Sequence, residues 1–235
     1  MKYGLIVADP PWPFDDRLNP ANGRRRGAES NYPVMTMDEI RTLRVSEVAA
    51  DDAVLALWIP SSFLVDGLHL DVLLEWGFRP TQLWTWVKTT VNSCTDDEFW
   101  RRVDAGRSSD DEGVSLAFGM GWLGRACTEH FVMCVRGKPY KHQQSRSERT
   151  AFLHPNLGFS RKPENLQASM ERMYPDWPKL ELFARRQRAG WTCLGNEAPS
   201  SKDIDIRVSI QNLINVEDAN GHTTEPEDHS GSPHG

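Results

Sequence analysis

Short apolar runs recur along the chain, separated by segments in which apolar residues are spaced differently. The run Tyr3–Ala8 is apolar almost throughout and stops at a pair of prolines, which is typical of a buried strand. Later runs have a similar length and character, and one of them stops at Pro60. The pattern predicts buried strands at YGLIVA, AVLALWIP, TQLWTWVK, EHFVMCVRG, KLELFA and WTCLGN.

Helical spacing appears between these runs. Thr36 begins the stretch TMDEIRTL, and Glu39 follows three residues later, which is the spacing of a capping box. Apolar residues recur at helical spacing over 63–76, before Gly77, and a further helical stretch is predicted over 163–174, with proline in its first turn. Strands that alternate with helices predict an α/β fold with a mostly parallel sheet.

Three connections are long for a compact domain: Pro13 to Asn31, Thr89 to Leu116 and Lys138 to Ser160. In an α/β protein, connections of this length are usually recognition loops or disordered segments. From Pro199 onward the chain is polar and acidic and ends in Gly, Ser, Pro and His. We therefore predict one folded domain at residues 1–198, followed by an acidic, largely disordered tail at 199–235.

Length and composition agree with one domain, because 235 residues of which 39% are apolar can bury a single core. The formal net charge is −6, and the tail alone carries −5, so the body is close to neutral. Such a body can still present a basic face to a polyanion, and Arg24–Arg26 and Arg185–Arg188 are candidates. The sequence shows no signal peptide and no membrane-length apolar stretch, and its four cysteines lack paired spacing. We expect a cytoplasmic protein.

The first strand runs directly into Asp9-Pro10-Pro11-Trp12. Each proline fixes its own φ and removes a backbone donor, so this turn is stiff and rich in acceptors. At the carboxyl end of a strand in an open α/β sheet, it lies where such folds bind ligands. The Asp9 carboxylate, the bare Pro10 carbonyl and the Trp12 indole together suit a flat substrate that carries an amino group.

An exocyclic amine on adenine is a poor nucleophile, because its lone pair is delocalised into the ring. Two acceptors that hold its hydrogens would favour a localised lone pair and would aim it at an electrophile. Stacking on Trp12 would contribute on the order of 1–3 kcal/mol per base, once the base has left its helix. The alternative for the same residues is a structural turn in which Trp12 covers the core.

Asp9-Pro10-Pro11-Trp12 resembles the catalytic motif of amino methyltransferases that use S-adenosylmethionine, and with Trp in the fourth place it most resembles the MT-A70 family of adenine N6-methyltransferases. Further segments resemble the family in the same order and span nearly all of residues 3–197: YPVMTMDEI, LALWIP, LWTWVKT, GWLGRACTEHFVMCVRGKP, SRKPENL, KLELFARR and GWTCLGNE. The resemblance implies a Rossmann-like class I methyltransferase fold in permuted order, with the catalytic turn near the amino terminus and much of the cofactor site near the carboxyl end.

The resemblance also implies roles for individual residues. The target amine would be held by the catalytic turn, Asp9, Pro10, Pro11 and Trp12. The acceptor side of the site would be lined by Tyr32, Lys88 and Glu129. The cofactor S-adenosylmethionine would be bound by Lys162, Phe183, Arg185, Gln187, Asn196 and Glu197. Side-chain acceptors suit ribose hydroxyls, and Lys162 and Arg185 could balance the methionine carboxylate or, equally, a nucleic-acid phosphate.

The chain departs from the family pattern at a few places. Glu197 stands where the family commonly has Gln, and Gln187 and Arg188 stand where His and Asn are often found. Family members that act on messenger RNA have a strand upstream of the catalytic turn, which helps to wall the cofactor's adenine. The residues before Asp9 do not contain it, so we expect the adenine pocket to be built otherwise or to be more open.

Two other motifs are not assigned a function. GMGWLG fits the glycine pattern of a dinucleotide fingerprint, but a strand-like run follows it instead of preceding it. Cys127, His130, Cys134 and His142 suggest zinc, yet Cys134 lies inside an apolar run, where a free cysteine behaves as a small hydrophobe. We assign no metal site.

The sequence therefore predicts an S-adenosylmethionine-dependent enzyme that methylates the 6-amino group of adenine in nucleic acid. DNA is favoured over RNA, because the compact chain lacks appended RNA-binding modules. One alternative is a catalytically silent nucleic-acid-binding or scaffold member of the family. Another is an amino methyltransferase acting on cytosine or on a protein amide, against which Trp12 argues. The oligomeric partner and the target sequence are left open.

Overall fold

The computed structural model describes residues 1–13, 34–105, 113–117, 119, 124–158 and 161–221. Within these ranges seven strands form one sheet in the order β5-β3-β4-β2-β1-β6-β7. Their bounds are β1 Tyr3–Ala8, β2 Ala49–Ile59, β3 Arg79–Thr89, β4 Thr128–Arg136, β5 Ala151–Pro155, β6 Lys179–Leu182 and β7 Trp191–Leu194. The mostly parallel α/β sheet predicted from the sequence is confirmed, and only β4 runs antiparallel to its neighbours.

Strand β1 lies inside the sheet, between β2 and β6, and every one of its six residues is buried. It pairs in parallel with β2 on one side and with β6 on the other, and Leu5 is opposite both Val54 and Lys179. A strand buried on both faces is expected to be apolar throughout, without polar alternation. The register brings the carboxyl ends of β1, β2, β6 and β7 to the same edge of the sheet.

Strand β4 runs antiparallel to its neighbours, so its first residues lie at that same edge. Glu129, near its start, is opposite Trp86 of β3, and His130 is opposite Ile59 of β2. The strand order therefore places an acidic residue from the middle of the chain beside the turn that follows β1.

The helices are α1 Met37–Arg41, α2 Val45–Val48, α3 Ser61–Asp66, α4 His69–Glu75, α5 Asp96–Asp104, α6 Asn165–Met173 and α7 Ile206–Gly221. The predicted capping box is confirmed at α1, where Thr36 and Glu39 exchange both hydrogen bonds. The single helix expected over 63–76 is divided into α3 and α4 at Gly67, which has a left-handed φ of 74°. No helix among the described residues is long and apolar enough to cross a membrane.

The sheet has a hydrophobic core on each face. Ile6 of β1 belongs to the core that also contains Trp76, directly after α4, and Ile210 of α7. Leu5 of the same strand points to the opposite face and packs with α6 through residues such as Met170. Alternate residues of one strand thus serve two cores, which fixes the register of the central strands.

The structure corrects the expectation of long irregular segments for two of the three connections. The connection from Thr89 to Leu116 contains α5, and that from Lys138 to Ser160 contains β5 and a short 3-10 helix at Pro139–Lys141. The connection from Pro13 to Asn31 lies almost wholly outside the described residues. Thr95 and Glu98 form a second capping box at α5, a signal present in the sequence that the loop assignment overlooked.

The predicted boundary at residue 198 is also wrong, because α7 belongs to the domain. Ile206, Ile210 and Ile214 are 6%, 1% and 7% exposed in the same core as β1. Their four-residue spacing brings them to one face of the helix, and this face packs in the core. The other residues of the segment are mostly polar, so its composition does not indicate a buried helix. Residues 222–235, the remainder of the predicted tail, lie outside the described residues.

Candidate active site

A cavity of about 700 Å³ opens at the edge where the parallel strands end. This volume lies within the range of small-molecule and cofactor sites. The cavity is lined by the turn after β1, the ends of β2, β6 and β7, the start of β4, and residues near the first turns of α1 and α7. Among these are Asp9, Pro10, Pro11, Trp12, Glu39, Trp58, Glu129, Lys162, Phe183, Arg185, Asn196, Glu197, Asp203, Asp205, Ile206 and Arg207.

Asp9 leaves β1 at the cavity, where its side chain is 30% exposed. One carboxylate oxygen accepts a hydrogen bond from the Lys162 ammonium at 2.9 Å. The neighbouring Pro10 carbonyl accepts from the Trp12 amide at 2.8 Å, so it is not the bare acceptor that the sequence suggested. A carbonyl oxygen has two lone pairs, so one acceptor position at Pro10 is left beside the Asp9 carboxylate.

Four charged side chains form a network that starts at Asp9. Lys162 bridges the Asp9 and Glu129 carboxylates, at 2.9 and 3.3 Å, and Lys88 contacts the other oxygen of Glu129 at 2.6 Å. Two carboxylates and two ammonium groups balance when all four are ionised. A paired network of this kind is how partly buried charges are tolerated next to an apolar core.

The network shifts the ionisation of its members. Burial raises the pKa of Asp9, and Glu129 adds to that effect, although Lys162 opposes it. Burial also acts to raise the pKa of Glu129, but Lys162 and Lys88 together outweigh it and leave that pKa below its ordinary value. Burial acts to lower the pKa of Lys162, and the two carboxylates reverse this and raise it. Lys162 is therefore a permanent cation beside an unusually protonatable Asp9.

The structure changes the expectation for Trp12. Its side chain is 3% exposed, its indole nitrogen donates to the Trp58 carbonyl at 2.9 Å, and its ring packs on Phe63 at 5.5 Å between centroids. A buried indole needs an acceptor for its N–H, and the end of β2 provides one. Trp12 therefore anchors the catalytic turn to the core, and the broad stacking face expected from the sequence is not exposed here.

The turns that follow β6 and β7 form a second part of the cavity lining, which we call the β6–β7 wall. Phe183 has a left-handed φ of 62°, which is uncommon for a bulky residue and marks a constrained turn. Arg185 after β6 pairs with Glu197 after β7 at 2.8 Å. The two turns approach so closely that a Cβ on Gly195 would lie 2.2 Å from the Ala184 carbonyl oxygen. Only glycine permits this contact.

This wall fits S-adenosylmethionine. Asn196 and Glu197 offer acceptors of the kind that ribose hydroxyls need, and the Arg185 guanidinium can balance a carboxylate. The wall lies at the carboxyl ends of parallel strands, which is where open α/β sheets bind ligands. Phe183, Arg185, Asn196 and Glu197 therefore occur together, as the sequence predicted.

Other predicted site residues have different surroundings. Lys162, expected at the cofactor, lines the cavity and contacts Asp9 and Glu129. Gln187 does not line the cavity, and its amide donates to the Trp191 carbonyl at 3.0 Å within its own turn. Lys88 reaches the site through Glu129. Tyr32 and Arg24–Arg26 lie outside the described residues.

The sequence analysis missed a group of lining residues at one end of the cavity. Arg207 contacts Asp205 at 2.6 Å and Glu39 at 3.2 Å, and all three line the cavity. Asp205 and Arg207 were assigned to the disordered tail, and Glu39 was recognised only as a helix cap. The isoleucines that begin at Ile206 are the signal that could have brought this segment into the domain.

Comparisons with known proteins agree with this architecture. The family model described as MT-A70 matches residues 3–197. An N(6)-adenosine-methyltransferase MT-A70-like protein of Arabidopsis thaliana is 29% identical over 197 residues, which are 83% of this chain and 24% of the relative. The N(6)-adenosine-methyltransferase catalytic subunit METTL3 of Homo sapiens is 27% identical over 198 residues, 83% of this chain and 28% of the relative.

A shorter relative is also similar. The type II methyltransferase M.MunI of Mycoplasma sp is 25% identical over 215 residues, which are 86% of this chain and 80% of that protein. The chain thus spans most of the type II methyltransferase, but only 24% and 28% of the Arabidopsis and human relatives.

Proposed function

This chain belongs to the MT-A70 family, and we propose that it transfers a methyl group from S-adenosylmethionine to the 6-amino group of adenine in nucleic acid. The observation that carries the proposal is the position of Asp9. Its carboxylate lies in the cavity at the carboxyl end of β1, and the β6 and β7 turns that suit the cofactor line the same cavity. The target amine, which accepts the methyl group, and the cofactor that donates it could therefore occupy the same cavity.

The role of the chain is to hold and orient the amine. The free oxygen of the Asp9 carboxylate and the second lone pair of the Pro10 carbonyl provide two acceptors for the two N–H bonds of the amine. Held in this way, the nitrogen lone pair is directed away from the acceptors and into the cavity. When bound, S-adenosylmethionine supplies an electrophilic methyl group.

Lys162 and Glu129 keep this arrangement in place. Lys162 fixes one oxygen of Asp9 and so leaves the other to the substrate. Glu129 holds Lys162 from the opposite side, with Lys88 as its second partner. The amine must meet an ionised Asp9, because a protonated carboxyl would offer a donor where an acceptor is needed. The cation of Lys162 supports the ionised form.

DNA is the substrate that we propose first, with RNA as the alternative. The support is the similarity to the type II methyltransferase M.MunI of Mycoplasma sp, which is 25% identical over 86% of this chain. We also propose that the protein acts in the cytoplasm.

The test is methyl incorporation from isotopically labelled S-adenosylmethionine into DNA and into RNA of matched sequence, followed by mass spectrometry of the nucleosides. Asp9→Asn keeps the shape of the side chain but loses an anionic acceptor, so we expect the rate to fall by about 10²–10³-fold. The matched control is Asp66→Asn, at an exposed carboxylate at the end of α3, outside the cavity. It should keep the rate of the wild type.

Three results would count against the proposal. An Asp9→Asn variant as active as the wild type would remove the catalytic role of the turn. Methyl groups found on cytosine or on protein instead of on the 6-amino group of adenine would change the substrate class. A wild type that binds S-adenosylmethionine but methylates neither nucleic acid would favour the silent scaffold.

A further inference from the structure

The match to the family model and the lining of the cavity do not end at the same residue. The family model matches residues 3–197, whereas Asp203, Asp205, Ile206 and Arg207 also line the cavity. A segment beyond the matched region therefore forms one end of the space assigned to the cofactor. We call Asp203–Arg207 the carboxyl-terminal wall.

The residues just before the carboxyl-terminal wall are hydrogen-bonded to β7 and to the turn that follows it. The Ser200 hydroxyl donates to the Cys193 carbonyl at 2.7 Å, and the Ser201 hydroxyl, which is buried, accepts from the Gly195 amide at 2.8 Å. On the other side, Ile206 is buried in the core at the start of α7. Anchoring at both ends makes the wall part of the rigid domain.

A second contact joins the wall to α1, which also lines the cavity. Arg207 pairs with Asp205 within the wall and with Glu39 of α1, which is 168 residues away in the chain. Both oxygens of Asp205 accept hydrogen bonds from Arg207. The carboxylates of Asp205 and Glu39 are therefore already engaged, and they shape the wall.

Asp203 is the carboxylate of the wall that remains for a ligand. Its side chain is exposed and lines the cavity, and no described residue donates a hydrogen bond to it. Its backbone amide donates to the Asn196 carbonyl at 3.2 Å, so it stands next to the residues that suit the ribose. Its φ of 60° lies in the left-handed region, which Asp and Asn tolerate better than most residues.

We propose that the carboxyl-terminal wall closes the nucleoside end of the cofactor cavity, and that the Asp203 carboxylate accepts hydrogen bonds from the nucleoside of the cofactor. The donors would be a ribose hydroxyl or the adenine amine, and both present the same chemistry to a carboxylate. This inference rests on the proposed function, because it assumes that S-adenosylmethionine occupies the cavity. It assigns to this chain a binding residue that lies outside the region shared with the family model.

The experiment is calorimetric titration of the full chain with S-adenosylhomocysteine, which resembles the cofactor but has no methyl group to transfer. Asp203→Asn keeps the left-handed conformation and replaces a charged acceptor by a neutral one, so we expect about tenfold weaker binding. Asp203→Gly also accepts this φ and removes the side chain, so its loss should be at least as large. Asp66→Asn is the matched control and should bind as the wild type does.

Ligand variants locate the contact. 5′-Methylthioadenosine lacks the amino-acid part, so the loss on Asp203→Asn should persist with this ligand if the contact is to the nucleoside. If the donor is the 2′-hydroxyl, Asp203→Asn should not change the affinity for 2′-deoxy-5′-methylthioadenosine. If the donor is the 6-amino group of adenine, Asp203→Asn should not change the affinity for 5′-methylthioinosine.

The outcomes separate this inference from the proposed function. If the wild type binds S-adenosylhomocysteine, but Asp203→Asn and Asp203→Gly bind it within a factor of two of the wild type, the inference is overturned and the proposed function stands. If the wild type does not bind at all, both fail. Matching thermal unfolding of the four proteins would exclude a loss of fold as the cause of weaker binding.

Discussion

The most discriminating substitution is Lys162→Met, because it removes the cation that Asp9 and Glu129 share. Methionine has a similar length and shape, so the cavity should keep its outline. The two carboxylates would then lie near each other without the ammonium that contacts them at 2.9 and 3.3 Å. Each would raise the pKa of the other, as like charges do.

The magnitude follows from the geometry. Two unit charges about 4 Å apart near a protein surface interact by about 4 kcal/mol, and one pKa unit corresponds to about 1.4 kcal/mol. Lys162 divides its charge between two carboxylates, and its side chain and that of Asp9 are 17% and 30% exposed. We therefore expect the pKa of Asp9 to rise by about one to three units.

The assay is the single-turnover rate of methyl transfer as a function of pH, at saturating cofactor. The active form needs the ionised carboxylate, so the rate is lost as the pH falls through the pKa of Asp9, and the acid limb should move to higher pH in Lys162→Met. Lys88→Met is the matched control, since Lys88 contacts Glu129 and has no contact with Asp9. Its acid limb should move less.

The reasoning is refuted if the acid limb of Lys162→Met coincides with that of the wild type, or if Lys88→Met shifts it more. A different result would point to the role expected from the sequence. If Lys162→Met leaves the pH profile unchanged but raises the cofactor concentration needed for half-maximal rate, Lys162 acts on the cofactor.

Two further substitutions test how the domain and its cavity are closed. Ile210 is 1% exposed in α7, so Ile210→Ala should lower the free energy of unfolding, measured in urea, by about 2–5 kcal/mol. Val208 is 51% exposed in the same helix, so the control Val208→Ala should change that free energy by less than about 0.5 kcal/mol. Equal effects of the two substitutions would argue against the packing of α7. Gly195→Ala would place a Cβ 2.2 Å from the Ala184 carbonyl oxygen, so we expect binding of S-adenosylhomocysteine to weaken by about tenfold or more in a titration. Gly124→Ala, where a Cβ would meet nothing within 4 Å, should leave it unchanged; similar binding by both variants would contradict the close approach of the β6 and β7 turns.

Local patterns in the sequence were enough to predict most of the strands and the chemistry of the turn after β1. Apolar runs of strand length predicted β1, β2, β3, β4, β6 and β7, because hydrophobic burial and backbone periodicity are local properties of a segment. The stiff, acceptor-rich turn at Asp9-Pro10 could likewise be predicted, because proline restricts its own φ in any context. Two segments with weak local signals were not predicted. The apolar run of β5, AFLHP, ends after three residues at a histidine and a proline, and α7 combines a few isoleucines with a polar sequence.

Which side chains contact one another is apparent only from the folded chain. Lys162 contacts Asp9 across 153 residues of chain, and Arg207 contacts Glu39 across 168. Trp12 is turned into the core by an acceptor at the end of β2. Such contacts depend on strand order and on the register between distant segments, and no spacing within one segment encodes them. The residue types at the site could be predicted locally, but their partners, exposure and pKa values arise only when the chain has folded.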